Sequence, residues 1–213
     1  MDSAALEVKM ANFSLFLALI LIHVLAQSCG YKAAPSDELV AREGEIVGVL
    51  IKSNGKADPS STIELFQKDG ESVLSSVSGI DSDGRFGIFP PETGSYNLVG
   101  SVGDLDKVIV QNIEFVGGVG MNIGTIQTAL VGGLAVKVKV PAGYSPVGVS
   151  FNLLGYAASG TTVEEGAGLI KTGIPAGTYT VKFSQTGLQT QLVSGVEIVS
   201  GEPTVLPDVS LIE

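Results

Sequence analysis

The chain has 213 residues, a formal net charge of −10, 45% hydrophobic but only 16% charged residues, and 28 glycines. That balance fits turn-rich all-β domains and argues against disorder, while the acidic excess repels polyanions and so excludes a nucleic-acid partner. His23 and Cys29 are the sole histidine and cysteine and tryptophan is absent, so beyond position 29 no Ser-His-Asp triad, Cys-His pair, His/Cys zinc site or disulfide can be built.

The N-terminal stretch reads as an address rather than a fold. From Met10 to Tyr31 there is no Asp, Glu, Lys or Arg, and Phe13 to Ile22 is an apolar run of signal-peptide length. The preceding residues carry Asp2, Glu7 and Lys9, an unusual charge balance for a signal, and translation starts at either Met1 or Met10. The run closes on Leu25-Ala26-Gln27-Ser28-Cys29-Gly30. This resembles the lipobox of bacterial lipoproteins, which implies cleavage after residue 28 and acylation, such as palmitate, on Cys29. Gln27 and the position of Leu25 depart from the usual pattern. An uncleaved membrane helix and an ordinary secretory signal are the alternatives. Gly30 is not the aspartate that resembles an inner-membrane retention signal, so the expected location is the outer membrane of a Gram-negative cell. Residues 29–44 then read as a tether, with small, proline and charged residues and no periodicity.

A first β domain is expected over 45–130. Glu45 to Ile51 carries β-branched residues at alternate positions, and Ser53 to Pro59 is a loop by its turn residues. Strands follow at Thr62–Phe66, with Glu64 between two inward positions, and at Ser72–Ser78. Asp81-Ser82-Asp83-Gly84 turns the chain into Arg85–Phe89, and the Gly94/Tyr96 strand, Lys107–Val116 and Met121–Leu130 complete about seven strands, the number of a sandwich.

A second domain is expected over 132–213. Leu134 to Val140 alternates apolar and polar residues, as a half-buried strand should, and so does Val147 to Leu153. Gly168–Ile170, Thr178–Phe183, Thr190–Val199 and Thr204–Ile212 supply further strands. The two halves share a register. Pro91-Glu92-Thr93-Gly94-Ser95-Tyr96 matches Ile174-Pro175-Ala176-Gly177-Thr178-Tyr179 in its Gly and Tyr, 83 positions apart, and Val110 to Val116 falls on Val193 to Val199 at the same offset. Tyr96 and Tyr179 are therefore expected to be core residues with the hydroxyl reaching backbone.

Asp81 to Phe86, followed by Pro91, Gly94, Tyr96 and Leu98, resembles the carboxypeptidase regulatory-like family of prealbumin-type, Ig-like β-sandwiches. The resemblance covers about residues 45–130 and, more weakly, 133–213, where Glu164-Glu165-Gly166 replaces the acidic turn. It implies two tandem sandwiches serving as non-catalytic accessory, adhesion or carbohydrate-associated modules, with no enzymatic residues and no cofactor.

Few residues stand out as sites. Asp81 and Asp83 are weak calcium candidates, because the acids that would complete a loop are missing, and a tight turn accounts for them. Tyr144 and Tyr156, on loops flanking a strand, are the candidate sugar-stacking residues. Lys52, Glu64 and Asn122 could be arranged like the isopeptide crosslink of Gram-positive adhesins, but alternation sends Lys52 to solvent. The expected function is a non-enzymatic cell-envelope lipoprotein for structural or adhesive contact, partnered by the membrane and by a surface protein or polysaccharide. Polysaccharide binding and carboxylate-based hydrolysis are the alternatives.

Overall fold

The computed structural model describes residues 39–213. The apolar run and Cys29 lie outside the described residues.

Eight strands build the first sandwich. They are β1 (Ile46–Ile51), β2 (Thr62–Gln67), β3 (Val73–Ser78), β4 (Arg85–Ile88), β5 (Gly94–Val102), β6 (Asp106–Phe115), β7 (Met121–Gln127) and β8 (Ala129–Leu130). One sheet runs β4-β1-β7 and the other β3-β2-β5-β6-β8. The strand expected over Met121–Leu130 divides at Thr128, where the chain passes from one sheet to the other.

The second sandwich comprises β9 (Gly132–Lys139), β10 (Ser150–Leu153), β11 (Ser159–Thr161), β12 (Ala167–Ile174), β13 (Gly177–Ser184), β14 (Gln191–Ile198), β15 (Pro203–Val205) and β16 (Val209–Ser210). Its sheets run β12-β9-β15, with β16 also on β9, and β11-β10-β13-β14. The stretch expected as one strand over Thr204–Ile212 is broken at Pro207, which has no N–H to give a ladder. Val147–Leu153 pairs only from Ser150 onward, after Gly148 at φ 85°. β11 and the 3-10 turn Glu164–Gly166 have no counterpart in the sequence reading, being too short to show a period.

Both sandwiches close in the same way. The first strand of each pairs parallel with the end of its own segment, β1 with β7 and β9 with β15 and β16. The central hairpins repeat residue for residue. Tyr96 pairs with Ile113 and Leu98 with Val110 across a bulge, and Tyr179 pairs with Val196 and Val181 with Val193 across another. The residue that makes the bulge has positive φ in both, Asn112 at 58° and Gly195 at 75°.

The turn before the fourth strand also repeats, although its sequence does not. Gly84 donates to the Asp81 carbonyl at 3.0 Å and Gly166 to the Val163 carbonyl at 3.1 Å. Both glycines have positive φ, and a Cβ would strike a carbonyl of the first strand, Leu50 in one copy and Val138 in the other. Glycine meets the requirement in both copies, and the aspartates do so in only one.

The sheet containing β2, β5 and β6 is buried on both faces. Leu65 and Leu98 face the first core, with Val108 and Val110 packed beside them. Their neighbours Phe66, Val99 and Ile109 point the other way, into the core of the second sandwich. Strand alternation thus feeds two cores from one sheet. The two sandwiches are not the separately packed domains that the sequence led us to expect; they share apolar side chains.

Candidate functional site at the junction

Burying one sheet on both faces brings the tips of the second sandwich against β2, β5 and β6. Phe66 meets Tyr156 edge-on, with ring centroids 5.9 Å apart, and Tyr156 meets Tyr179 at 6.4 Å. The Tyr156 hydroxyl donates to the Gly173 carbonyl at 2.5 Å and accepts from the Lys107 ammonium at 3.0 Å. The same ammonium stands 5.7 Å from the ring centroid, which adds a cation–π attraction.

Amide side chains complete the joint. Gln111 on β6 donates to the Thr178 carbonyl at 2.8 Å and accepts from the Thr178 N–H at 3.3 Å. Its amide acts as an extra strand residue, extending the ladder where β10 no longer covers β13. Asn97 is 3% exposed. It donates to the Gly155 carbonyl at 3.1 Å and accepts from the Asn112 N–H at 3.1 Å, so it ties the bulge of the first sandwich to a loop of the second. Gly155 N–H donates to the Gly70 carbonyl at 2.7 Å, and Lys182 pairs with Glu71 at 2.7 Å. That ion pair is solvent-screened and adds under about 1 kcal/mol, so the apolar contacts and buried amides dominate the joint.

A polar cleft of about 180 Å³ remains at this junction, lined by Asn97, Gln111 and Asn112 from the first sandwich and Thr178, Thr180 and Gly195 from the second. Lys68 and Asp69 form its rim. Burial, and secondarily the neighbouring Tyr156, push the Tyr179 phenol far above its ordinary value, so this floor residue stays neutral.

The residues singled out in the sequence are dispersed. Tyr156 is corrected from a sugar platform to a core residue: it is 5% exposed, and its ring is taken by Phe66 and Tyr179. Tyr144 is half-buried over the β13–β14 turn, where its hydroxyl donates to the Gly187 carbonyl at 3.1 Å. Tyr144 and Tyr156 therefore flank opposite ends of β13, a strand of eight residues, and do not form one surface. Asp81 accepts from the N–H groups of Asp83 at 2.9 Å and Arg85 at 2.7 Å, which is the work of a turn. Among the described residues no three His, Cys, Asp or Glu side chains are grouped as a metal site.

The crosslink residues are likewise apart. Lys52 pairs with Asp58 at 3.2 Å, and hydrogen bonds from Ser60, helped by Lys52, hold the Asp58 carboxyl below its usual range. Asn122 donates instead to the Leu39 carbonyl at 2.8 Å, tying residue 39 of the expected tether to β7. Asn97, Gln111 and Asn112 escaped the sequence reading. The 83-residue register held the signal, because it sets Asn112 against Gly195.

No family model matches the chain, and no curated protein matches it. Solved structures resemble it in part. The Bacillus anthracis TIE protein is 18% identical with a TM-score of 0.32, over 80% of this chain and 34% of that one. A streptococcal ancillary pilin is 15% identical with a TM-score of 0.36, over 78% of this chain and 62% of that one. A C-terminal fragment of the pilus adhesin SpaC from Lactobacillus rhamnosus GG is 11% identical with a TM-score of 0.29, over 80% and 97%. The chain thus spans about a third of the first and less than two thirds of the second. Likenesses at these values say nothing of what this chain binds.

Proposed function

We propose that this is a non-enzymatic protein of the cell envelope, lipid-anchored through Cys29, that presents two β-sandwiches as one rigid body for structural or adhesive contact. The observation that carries the reading is the doubly buried sheet: Phe66 and Val99 belong to strands of the first sandwich and to the core of the second. Two domains joined only by a linker would reorient freely, whereas a shared core transmits the orientation, and any load, of one sandwich to the other. The Gln111 and Asn97 bonds fix the rotation about that core, since each spans the joint. Display on a surface is what such a joint serves best.

Residual dipolar couplings measured on both sandwiches test the rigid presentation. A single alignment tensor must describe residues 45–130 and 132–213 together. Two different tensors would overturn it.

A further inference from the structure

We propose that the end of the first sandwich at which residue 39 enters rests on the surface of a zwitterionic lipid bilayer. The proposal builds on the anchor at Cys29 and adds the protein surface that meets the membrane.

The two ends of the first sandwich differ in chemistry. At one, the turns 79–84 and 103–105 carry the exposed carboxylates Asp81, Asp83 and Asp104. At the other, residues 39–45 meet the turns 89–93 and 116–120. Met121 N–H donates to the Glu45 carbonyl at 2.8 Å, and Gly117 N–H to the Thr93 hydroxyl at 2.7 Å. Gly120 lies so close to Ala41 and Arg42 that a Cβ would strike both carbonyls. These converging segments carry Val40, Phe89, Val116 and Val119, each more than half exposed. Apolar side chains gathered in this way mark an interaction site, whereas single scattered ones do not. Glu43 and Glu92 are exposed at the same end and disfavour an anionic lipid surface, which selects a zwitterionic one.

The internal repeat shows how this end is used. At the 83-residue offset Gly94 and Ser95 fall on Gly177 and Thr178, and Val116 falls on Val199. In the second copy that end is packed on the first sandwich: Gly177 lies against Ile109, and Thr178 is held by Gln111. In the first copy only the turn at 68–71 is taken up in the joint, through Gly70 and Glu71. With Cys29 anchored, residues 30–38 alone separate the lipid from Leu39. That stretch is too short for another domain and reaches at most about 30 Å fully extended. The surface within reach of the apolar end is therefore the bilayer, where side chains such as phenylalanine and valine enter the boundary between headgroups and acyl chains.

The chain has no tryptophan, so a substituted one is a unique fluorescent probe. Phe89→Trp and Leu105→Trp, the latter at the acidic end, are made in the full-length protein. Each is reconstituted into phosphatidylcholine vesicles containing a lipid spin-labelled at the headgroup. Phe89→Trp should be quenched at least twice as strongly as Leu105→Trp, with its emission shifted to the blue. Adding Val119→Glu should bring the quenching at position 89 down to that at position 105. Equal quenching at the two positions in vesicle-bound protein, or quenching at 89 that Val119→Glu leaves unchanged, would overturn the contact while leaving the anchor intact. Protein that fails to sediment with the vesicles would overturn both.

Discussion

The hydroxyls of Tyr96 and Tyr179 each donate to the carbonyl four residues upstream, Glu92 and Pro175, and both bonds measure 2.8 Å. Both rings are 2% exposed. Each bond pins the turn that enters the central hairpin to the strand it starts, so the ring packs a core and the hydroxyl satisfies a turn carbonyl, one that is buried at Pro175 and part-buried at Glu92. Tyr179→Phe should cost about 1–3 kcal/mol by orphaning the Pro175 carbonyl, and Tyr179→Ala about 3–5 kcal/mol by emptying its place in the core. Denaturant titration reads both, and a Phe variant as stable as wild type would show that the bond contributes nothing.

Tyr179 also predicts an alkaline limit. Burial raises its folded-state pKa far above the unfolded value of about 10. The stability from keeping the phenol protonated is therefore complete below pH 10 and is lost as pH rises above it, because only the unfolded chain then releases the proton. One such group gives a loss of about 1.36 kcal/mol per pH unit. Tyr179→Phe should flatten the slope by about half that amount at pH 10 and by nearly all of it at pH 11. Equal slopes in the two proteins would mean that Tyr179 ionises freely in the fold.

Phe66 couples the sandwiches, since it belongs to β2 by chain and to the second core by contact. Phe66→Ala should cost about 3–5 kcal/mol and lower the melting temperature of both sandwiches together. Calorimetry of the wild type should show one transition. Two resolved transitions, with only one moved by the substitution, would show that the shared core does not couple them.

Gly84 and Gly166 make a matched pair despite their different surroundings. At either position alanine meets positive φ and a strand carbonyl, so Gly166→Ala and Gly84→Ala should each cost at least about 2 kcal/mol. Asp81→Ala, by contrast, removes only exposed turn bonds and should cost about 1 kcal/mol or less. If Asp81→Ala proved the more damaging, the aspartate rather than the glycine would be setting the turn.

The repeat, the β class and the central hairpins were legible because they rest on short-range rules. Alternation places Tyr179, Val181 and Phe183 inward whatever the partner, and the 83-residue register then transfers the reading to Tyr96 and Leu98. The joint was not legible, because two-sided burial of β2 and β5 looks in sequence like any apolar strand. Phe66 beside Leu65 gave no sign that each serves a different core. Tyr156 was misplaced for the same reason: a loop aromatic reads as exposed until the element that covers it is known. Asn97 and Gln111 matter through bonds to residues 58 and 67 positions away, a separation at which local pattern carries no information.

The proposed anchor rests on Cys29, and its case is chemical. The apolar run ends at Ser28, the cysteine follows, and no other thiol exists in the chain to pair with it. A single acyl chain binds a bilayer only marginally, whereas the two or three acyl chains of a processed lipoprotein hold it firmly. Cys29→Ala should therefore leave the protein either in the soluble fraction or as an unprocessed precursor held by its apolar segment. Mass spectrometry distinguishes the outcomes at the level of atoms: the wild type should begin at an acylated Cys29, with residues 1–28 removed. An unmodified Cys29, or a mature terminus elsewhere, would remove the anchor while leaving the joint to stand on its own residues, Phe66, Asn97 and Gln111 among them.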